Sequence, residues 1–323
     1  MIFRAALLLS VSLFPAAAWA QQEGVLHTVE SNTFRPAHQP LTEDLLARLK
    51  VPDGFEVSVF ARDLGNARMM AVADNGAVYV TRPEQKDVIA LTEDNPEPRV
   101  IASDLDGIHG IAIRDGRIFL ATVHDILAAD LNDDGTIGTL EKLVDDLPDG
   151  GQHGRRTLGF APDGALHVNV GSSCDACFES TEEKAANLRL NVEDGTRAVF
   201  AHGLRNMLGF DWHPETGIMW GVDHGVDHLG DELPGEELNK IEQGSHYGWP
   251  FCYGDRQPDW VSFTMPEGMP KDEFCQTKTV GPVLTFDAHA SVISIRFYPA
   301  DQFPEDYRND AFVTLRGSAN RTG

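Results

Sequence analysis

Three short segments of the sequence carry residue types that strands and turns do not require, and each could do chemistry. In Gly150-Gly-Gln-His-Gly-Arg-Arg156, His153 sits between glycines, where the backbone can come close to a ligand and an imidazole can give or take a proton. A solvated surface histidine would fit the same stretch. In Gly203-Leu-Arg-Asn-Met207, Arg205 followed by Asn206 offers forked donors to a carboxylate or an oxyanion, and Arg205 could equally pair with one of the chain's 50 acids. The third segment, Val222 to Ile241, gathers six carboxylates, two histidines and three glycines in twenty residues. Like charges ~4 Å apart repel by about 4 kcal/mol at an effective dielectric of about 20, a cost that a bound divalent cation would relieve. Carboxylate and carbonyl oxygens suit Ca²⁺ better than Zn²⁺. An acidic, solvated loop is the alternative.

Two further patterns have a sharper form. Asp130-Leu-Asn-Asp-Asp-Gly-Thr-Ile-Gly-Thr-Leu-Glu141 satisfies the EF-hand loop rule, with acids at its first and last positions and Gly135 at the sixth. Its flanks read as strands rather than helices, so an Asp-rich turn between strands is the simpler reading. Cys174-Asp-Ala-Cys177 has the spacing of a redox dithiol or a haem attachment site, but Phe178 stands where haem attachment needs His. Four cysteines in an exported chain favour oxidised pairs, and the spacing predicts Cys174 with Cys177 and Cys252 with Cys275. The second bridge should stabilise the fold by roughly 3 kcal/mol through loop closure.

The elements that must position these groups recur along the chain. Apolar alternation, a Gly turn and a short strand appear at Met70–Val80, Ile111–Leu120 and Leu158–Val168. Weaker copies occur at Leu208–Trp220 and from Ile293–Phe297 to Ala311–Thr314. The turn glycines Gly76, Gly116, Gly164 and Gly217 are 40, 48 and 53 residues apart, which suits one four-stranded propeller blade per copy. A β-sandwich would use similar strands without explaining the repeat. Helical periodicity is confined to Leu41–Leu49 and Glu182–Leu190. The expectation is an all-β chain of six-bladed β-propeller architecture, with five copies of the unit present and the last blade missing or incomplete.

Composition narrows the function. With 26 Lys and Arg against 50 Asp and Glu, the charge of −24 opposes binding to nucleic acid or to anionic lipid. Arg4, the apolar run Ala5–Phe14 and Ala18-Trp-Ala20 read as a secretory signal peptide over residues 1–20. Its removal leaves 303 residues with a charge of −25. No later run approaches the about 18 apolar residues of a membrane span. Residues 21–50 read as an N-terminal extension, residues 51–323 as the propeller domain, and the location as periplasmic.

Taken in order, Gly151-Gln-His-Gly-Arg155, Gly203-Leu-Arg-Asn206, Glu237-Leu-Asn239 and Tyr247-Gly-Trp-Pro250 resemble the soluble glucose and sorbosone dehydrogenases that depend on pyrroloquinoline quinone (PQQ). That family is a six-bladed propeller carrying PQQ and Ca²⁺ over its channel. The resemblance implies oxidation of an aldose or a related sugar alcohol or aldehyde, with electrons passed to a periplasmic acceptor. It makes His153 the general base and Arg205 the group that stabilises charge on the quinone. Gln152, Asn206, His224, His109 and Arg316 become cofactor contacts. The carbonyls of Gly225 and Val226 become Ca²⁺ ligands, and Glu237 and Tyr247 match a second calcium region.

The sequence departs from that family in two places. Ile108 stands where the glucose enzymes have a polar cofactor contact, with His109 beside it as the substitute. The family's final blade supplies an Arg pair to the cofactor, and no such segment precedes Gly323. The expectation is a fragment or a site short of cations. The competing readings are a non-catalytic propeller that binds sugar or protein, and a Ca²⁺-dependent lactonase.

Overall fold

Each apolar alternation becomes a strand, and each strand pairs antiparallel with its neighbour in sequence. The computed structural model describes residues 31–33, 37, 39–92, 97–318, 320 and 321. The first blade is β1 (Met70–Val72), β2 (Val78–Arg82), β3 (Asp87–Leu91) and β4 (Arg99–Ala102). The second is β5 (Gly110–Arg114), β6 (Arg117–Ala121), β7 (Ile126–Asp130) and β8 (Glu141–Val144). The third is β9 (Thr157–Phe160), β10 (Leu166–Val170), β11 (Ala186–Leu190) and β12 (Arg197–His202). The fourth has β13 (Met207–Trp212), β14 (Met219–Asp223) and β15 (Gly235–Ile241), then an excursion before its outer strand. That excursion holds β16 (Cys252–Tyr253), β17 (Gln257–Pro258) and the helix Lys271–Lys278, and β18 (Leu284–Ala288) then closes the blade. A two-stranded fifth blade, β19 (Val292–Phe297) with β20 (Ala311–Leu315), follows.

The Asp-Gly turns behave as hairpin chemistry requires. Gly164 adopts φ +92°, which costs a residue without a Cβ nothing, while Asp163 Oδ1 accepts the Ala165 N–H at 3.1 Å. The inner strands β1, β5, β9, β13 and β19 each touch the next and together wall a central channel of about 470 Å³. The core lies in the seams between blades. Leu120 and Ile118 join the first blade to the second, Ala128 and Leu188 the second to the third, and Met207 and Ala201 the third to the fourth. Both faces are covered at β10, between neighbouring blades, and at β3, where the second blade packs on one side and Ala61 and Leu64 on the other, so both strands are buried along their whole length.

The architecture is the all-β propeller that the repeat predicts, with four complete blades and half of a fifth; a closed ring of six is not seen among the described residues. Glu182–Leu190 is not a helix. Ala186, Leu188 and Leu190 alternate inward, and their burial in the third blade's seam overrides the weak helical period. The Leu41–Leu49 helix shrinks to Glu43–Leu46, capped by Thr42. The helix Lys271–Lys278 was not foreseen; it presents Cys275 to Cys252, and both expected disulfides are formed. The expected signal peptide and much of the N-terminal extension lie outside the described residues. No helix among the described residues is long and apolar enough to cross a membrane.

If the seams carry the stability, Leu188→Ala, at a fully buried position, should cost about 2–5 kcal/mol in urea unfolding. Val72→Ala, on the exposed inner strand of the first blade, should stay within about 0.5 kcal/mol. Equal losses at both positions would contradict a seam-held ring.

Candidate functional site

The side chains that flank the strand ends share one basin. Arg68 precedes β1, Arg155 precedes β9, Arg205 and Asn206 precede β13, while His224 follows β14 and Arg316 follows β20. All six line one cavity of about 570 Å³, together with Gln152, His153 and Gly225. Of the sequence-predicted residues, Gln152, His153, Arg205, Asn206, His224, Gly225 and Arg316 are thus brought together from separate blades.

His153 has a defined tautomer. Its Nδ1 lies 3.0 Å from the Ser172 carbonyl and 2.8 Å from Ser172 Oγ. That hydroxyl gives its own proton to the Cys174 carbonyl at 2.7 Å, so both partners of Nδ1 are acceptors and Nδ1 carries the hydrogen. Nε2 keeps a bare lone pair. Burial first, and then the charge of Arg205, hold the imidazole down to about 3, so it is neutral under ordinary conditions. Two neighbours fix its place. A Cβ at Gly171 would lie 2.5 Å from His153 Cβ, so only glycine admits the ring there. Arg156, fully buried, donates to the carbonyls of His153, Val123 and Pro148 at 3.1, 3.1 and 2.7 Å.

A second cluster holds the Arg205-Asn206 pair. The buried Asp223 carboxylate accepts the backbone N–H groups of Arg205, Asn206 and His224 at 2.9, 2.6 and 3.1 Å. Burial pushes its pKa up to about 7 against the pull of those donors. The Arg205 guanidinium is itself paired, with Asp175 at 2.6 Å and Asp227 at 3.1 Å. His224 donates from Nε2 to the Val292 carbonyl at 2.6 Å and accepts from Asn206 Nδ2 at 3.3 Å. Both of its ring nitrogens are engaged, so only the face of its ring is open to a ligand.

The cavity's free charge is cationic. Among the described residues, the side chains of Arg68, Arg155 and Arg316 make no hydrogen bond or ion pair. Burial and then the charges of Arg155 and Arg316 lower the pKa of Arg68. Burial and then Arg316 lower that of Arg155. Beside the expected Arg316, the cavity is lined by two cations that the sequence reading did not name, Arg68 and Arg155. Both were missed, although each lies two residues before the inner strand of its blade.

Other expected residues fall elsewhere. His109 is buried behind the cavity wall, where its Nδ1 donates to the Arg156 carbonyl at 2.9 Å; the turn at Gly107 carries it inward, away from the ligand face. Val226 is buried against Ala185 and Trp249, leaving only its carbonyl for a cation. Glu237 is buried off the cavity and accepts from Gly254 N at 2.8 Å and Asn239 Nδ2 at 3.1 Å. The Tyr247 hydroxyl is used by the Lys240 carbonyl and the Glu242 N–H, so only its backbone could serve a metal. Glu236, its neighbour, does line the cavity and was overlooked; its carboxylate accepts Gly225 N at 2.9 Å and Ser291 N at 3.1 Å. In the Asp130–Glu141 turn, Arg117 reaches Asp130 at 3.4 Å and Glu141 at 3.6 Å, so a guanidinium bridges the first and last positions of the motif.

A propeller with an arginine-walled cavity over its inner strands is similar to the soluble PQQ-dependent aldose and glucose dehydrogenases and to family AA12. The chain belongs to the TrAA12-like family, whose sequence model matches residues 49–323. A calcium structure of the Trichoderma reesei AA12 enzyme aligns with a TM-score of 0.70 at 25% identity, covering 84% of this chain and 78% of that one. The holo PQQ domain of Coprinopsis cinerea pyranose dehydrogenase shares the fold, with a TM-score of 0.72 at 18% identity over 84% of this chain and 76% of that one. A PQQ-dependent sugar dehydrogenase of Hypocrea jecorina is 26% identical over 300 residues, which is 78% of this chain and 65% of that protein.

The burial of His109 has a measurable consequence. Desolvation holds it down to about 3, so below its ordinary 6.5 the unfolded chain takes a proton that the folded chain refuses. Its contribution to stability is complete above pH 6.5 and is lost as the pH falls. Between pH 7.5 and 5.5, wild type should lose about 1.4 kcal/mol more than His109→Gln, measured by denaturant unfolding. Parallel pH curves for the two proteins would show that His109 is solvated.

Proposed function

We propose that the cavity is the redox centre of a PQQ- and Ca²⁺-dependent dehydrogenase that oxidises an aldose or a related sugar alcohol or aldehyde in the periplasm. One observation carries this reading: a neutral imidazole with a bare Nε2 faces a cavity walled by three guanidiniums that form no ion pair among the described residues. The relatives support it, since the Hypocrea jecorina protein is described as a PQQ-dependent sugar dehydrogenase. The ring is taken to be six-bladed, as in the family the sequence resembles.

The donor set fits such a cofactor. PQQ carries several carboxylates, and Arg68, Arg155 and Arg316 are the groups that would hold them, with Arg205 behind. Among the described residues the carbonyls of Gly225 and Val226 accept no hydrogen bond, which leaves both oxygens for Ca²⁺ beside the Glu236 carboxylate. Glu237 and the Tyr247 backbone would hold a second ion. When bound, PQQ supplies the hydride acceptor.

The chain's own part is proton handling and orientation. His153 Nε2 takes the proton of the substrate hydroxyl, while the Ser172 carbonyl and hydroxyl keep Nδ1–H fixed and so keep the lone pair on the cavity side. Burial first, and then the charge of Arg205, depress the basicity of His153, and an anion seated in the basin would raise it. Arg205, clamped by Asp175 and Asp227, holds a fixed positive charge near the reacting atoms.

The test is reconstitution of the purified protein with PQQ and CaCl₂, followed by dye reduction across a panel of aldoses and sugar alcohols. His153→Ala should lower kcat by about 10²–10⁴ with PQQ affinity changed only a few-fold. Chelation should abolish turnover and added Ca²⁺ should restore it. Bound PQQ without turnover on any sugar or alcohol, or lactone hydrolysis that needs no PQQ, would overturn the proposal.

A further inference from the structure

From sequence, Cys174-Asp-Ala-Cys177 promises only a staple. In the fold it lies against both working side chains of the cavity. Five donors converge on Asp175. Its Oδ1 accepts Arg205 Nη2 at 2.6 Å and Asp227 N at 2.8 Å, and Oδ2 accepts His228 Nδ1 at 2.6 Å. Its backbone carbonyl accepts Arg205 Nε at 3.1 Å and Trp249 Nε1 at 2.8 Å. Arg205 is therefore gripped by a carboxylate and a carbonyl of the same residue, and it cannot turn without breaking both. One residue earlier, the Cys174 carbonyl takes the Ser172 hydroxyl proton. Without that acceptor the hydroxyl could turn and donate to His153 Nδ1, moving the imidazole proton to Nε2 and removing the base.

We propose that this disulfide-closed loop is the positioning element of the cavity: Asp175 sets the place of the Arg205 guanidinium, and the Cys174 carbonyl, acting through Ser172, sets which nitrogen of His153 is free. Asp175, Cys174 and Cys177 are positioning residues and need not touch substrate. The loop suits the task because the Cys174–Cys177 bond closes a ring of four residues, leaving its backbone little freedom to move the two oxygens that matter. Misplacement of such groups by ~1 Å can cost about 10²-fold in rate, so a rigid loop here has a use beyond stability. The inference deepens the function proposed above and rests on it for the roles of His153 and Arg205.

Two measurements on the full chain test it. The first is the nitrogen NMR spectrum of the imidazoles, with His153 assigned by its loss in His153→Ala. Wild type should show the Nδ1–H tautomer. Cys174→Ala with Cys177→Ala should populate the Nε2–H form, and adding Ser172→Ala should restore Nδ1–H, since the carbonyl is then the only partner. An unchanged tautomer in the cystine-free protein would overturn this half. The second is PQQ affinity by titration calorimetry. Asp175→Asn, which keeps the disulfide and so remains informative if the cystine-free protein does not fold, should weaken binding about tenfold. Combined with Arg205→Lys it should weaken binding no further than Arg205→Lys alone. Effects that multiply, or wild-type affinity in Asp175→Asn, would overturn that half. The imidazole spectrum needs no PQQ. A wild-type protein that fails to bind PQQ therefore sinks the proposed function, and the tautomer alone then decides the positioning claim.

Discussion

Arg68, Arg155 and Arg316 repel one another across the cavity mouth, and among the described residues none of the three side chains forms an ion pair, Glu84 acting on Arg155 only at a distance. In a protein of charge −24, leaving three cations unpaired is a cost that the surrounding scaffold must offset. The blade seams do this. Each seam buries aliphatic side chains from two sheets, so the strand ends that carry the arginines are fixed by contacts well away from the charges. The basin is a place where local electrostatics are unfavourable until an anion enters, and the ring is built stiffly enough to tolerate it.

His153 is arranged by the same economy of neutral partners. A histidine oriented by a carboxylate would have its cationic form stabilised; His153 is oriented by a carbonyl and a hydroxyl, which fix the tautomer and add no charge. Asp223 plays the corresponding part for the Arg205-Asn206 pair, gathering three backbone N–H groups rather than a side-chain cation. Carboxylates in this molecule are often used to hold the main chain, which explains how the crowded acids of Val222–Ile241 are accommodated. Glu236 and Glu237 are likewise spent on backbone N–H groups at Gly225, Ser291 and Gly254.

Much of this was legible in the sequence. The Gly turns at a period near that of a blade pointed to an all-β propeller, though not to the number of blades seen, and the ordered motifs at His153, Arg205 and Gly225 named residues that do converge. What was not legible shares one cause. Arg68 lacks a local signature, and Arg155, though it closes the Gly151–Arg155 motif, was not marked out by it; each lies two residues before an inner strand, and their convergence appears only in the fold. His109, immediately before β5, turns inward, since the Arg156 carbonyl offers its Nδ1 a partner behind the wall. Glu182–Leu190 carried a helical period, but burial of Ala186, Leu188 and Leu190 in the seam decided its conformation. The Asp130–Glu141 segment joins β7 to β8 as an Asp-rich turn between strands, and Arg117 reaches its first and last acids.

Arg156 does not line the basin but lies wholly enclosed beside it, its guanidinium ringed by carbonyl oxygens. Dissolved ions can screen the exposed Arg155 and Arg316 over a Debye length of about 8 Å at physiological ionic strength, but they cannot approach a charge sealed beneath the floor. The positive potential of the basin thus has two components, one that brine erodes and one that it does not. Long-range capture of an anion would fade with rising salinity, while the hold on one already seated would persist.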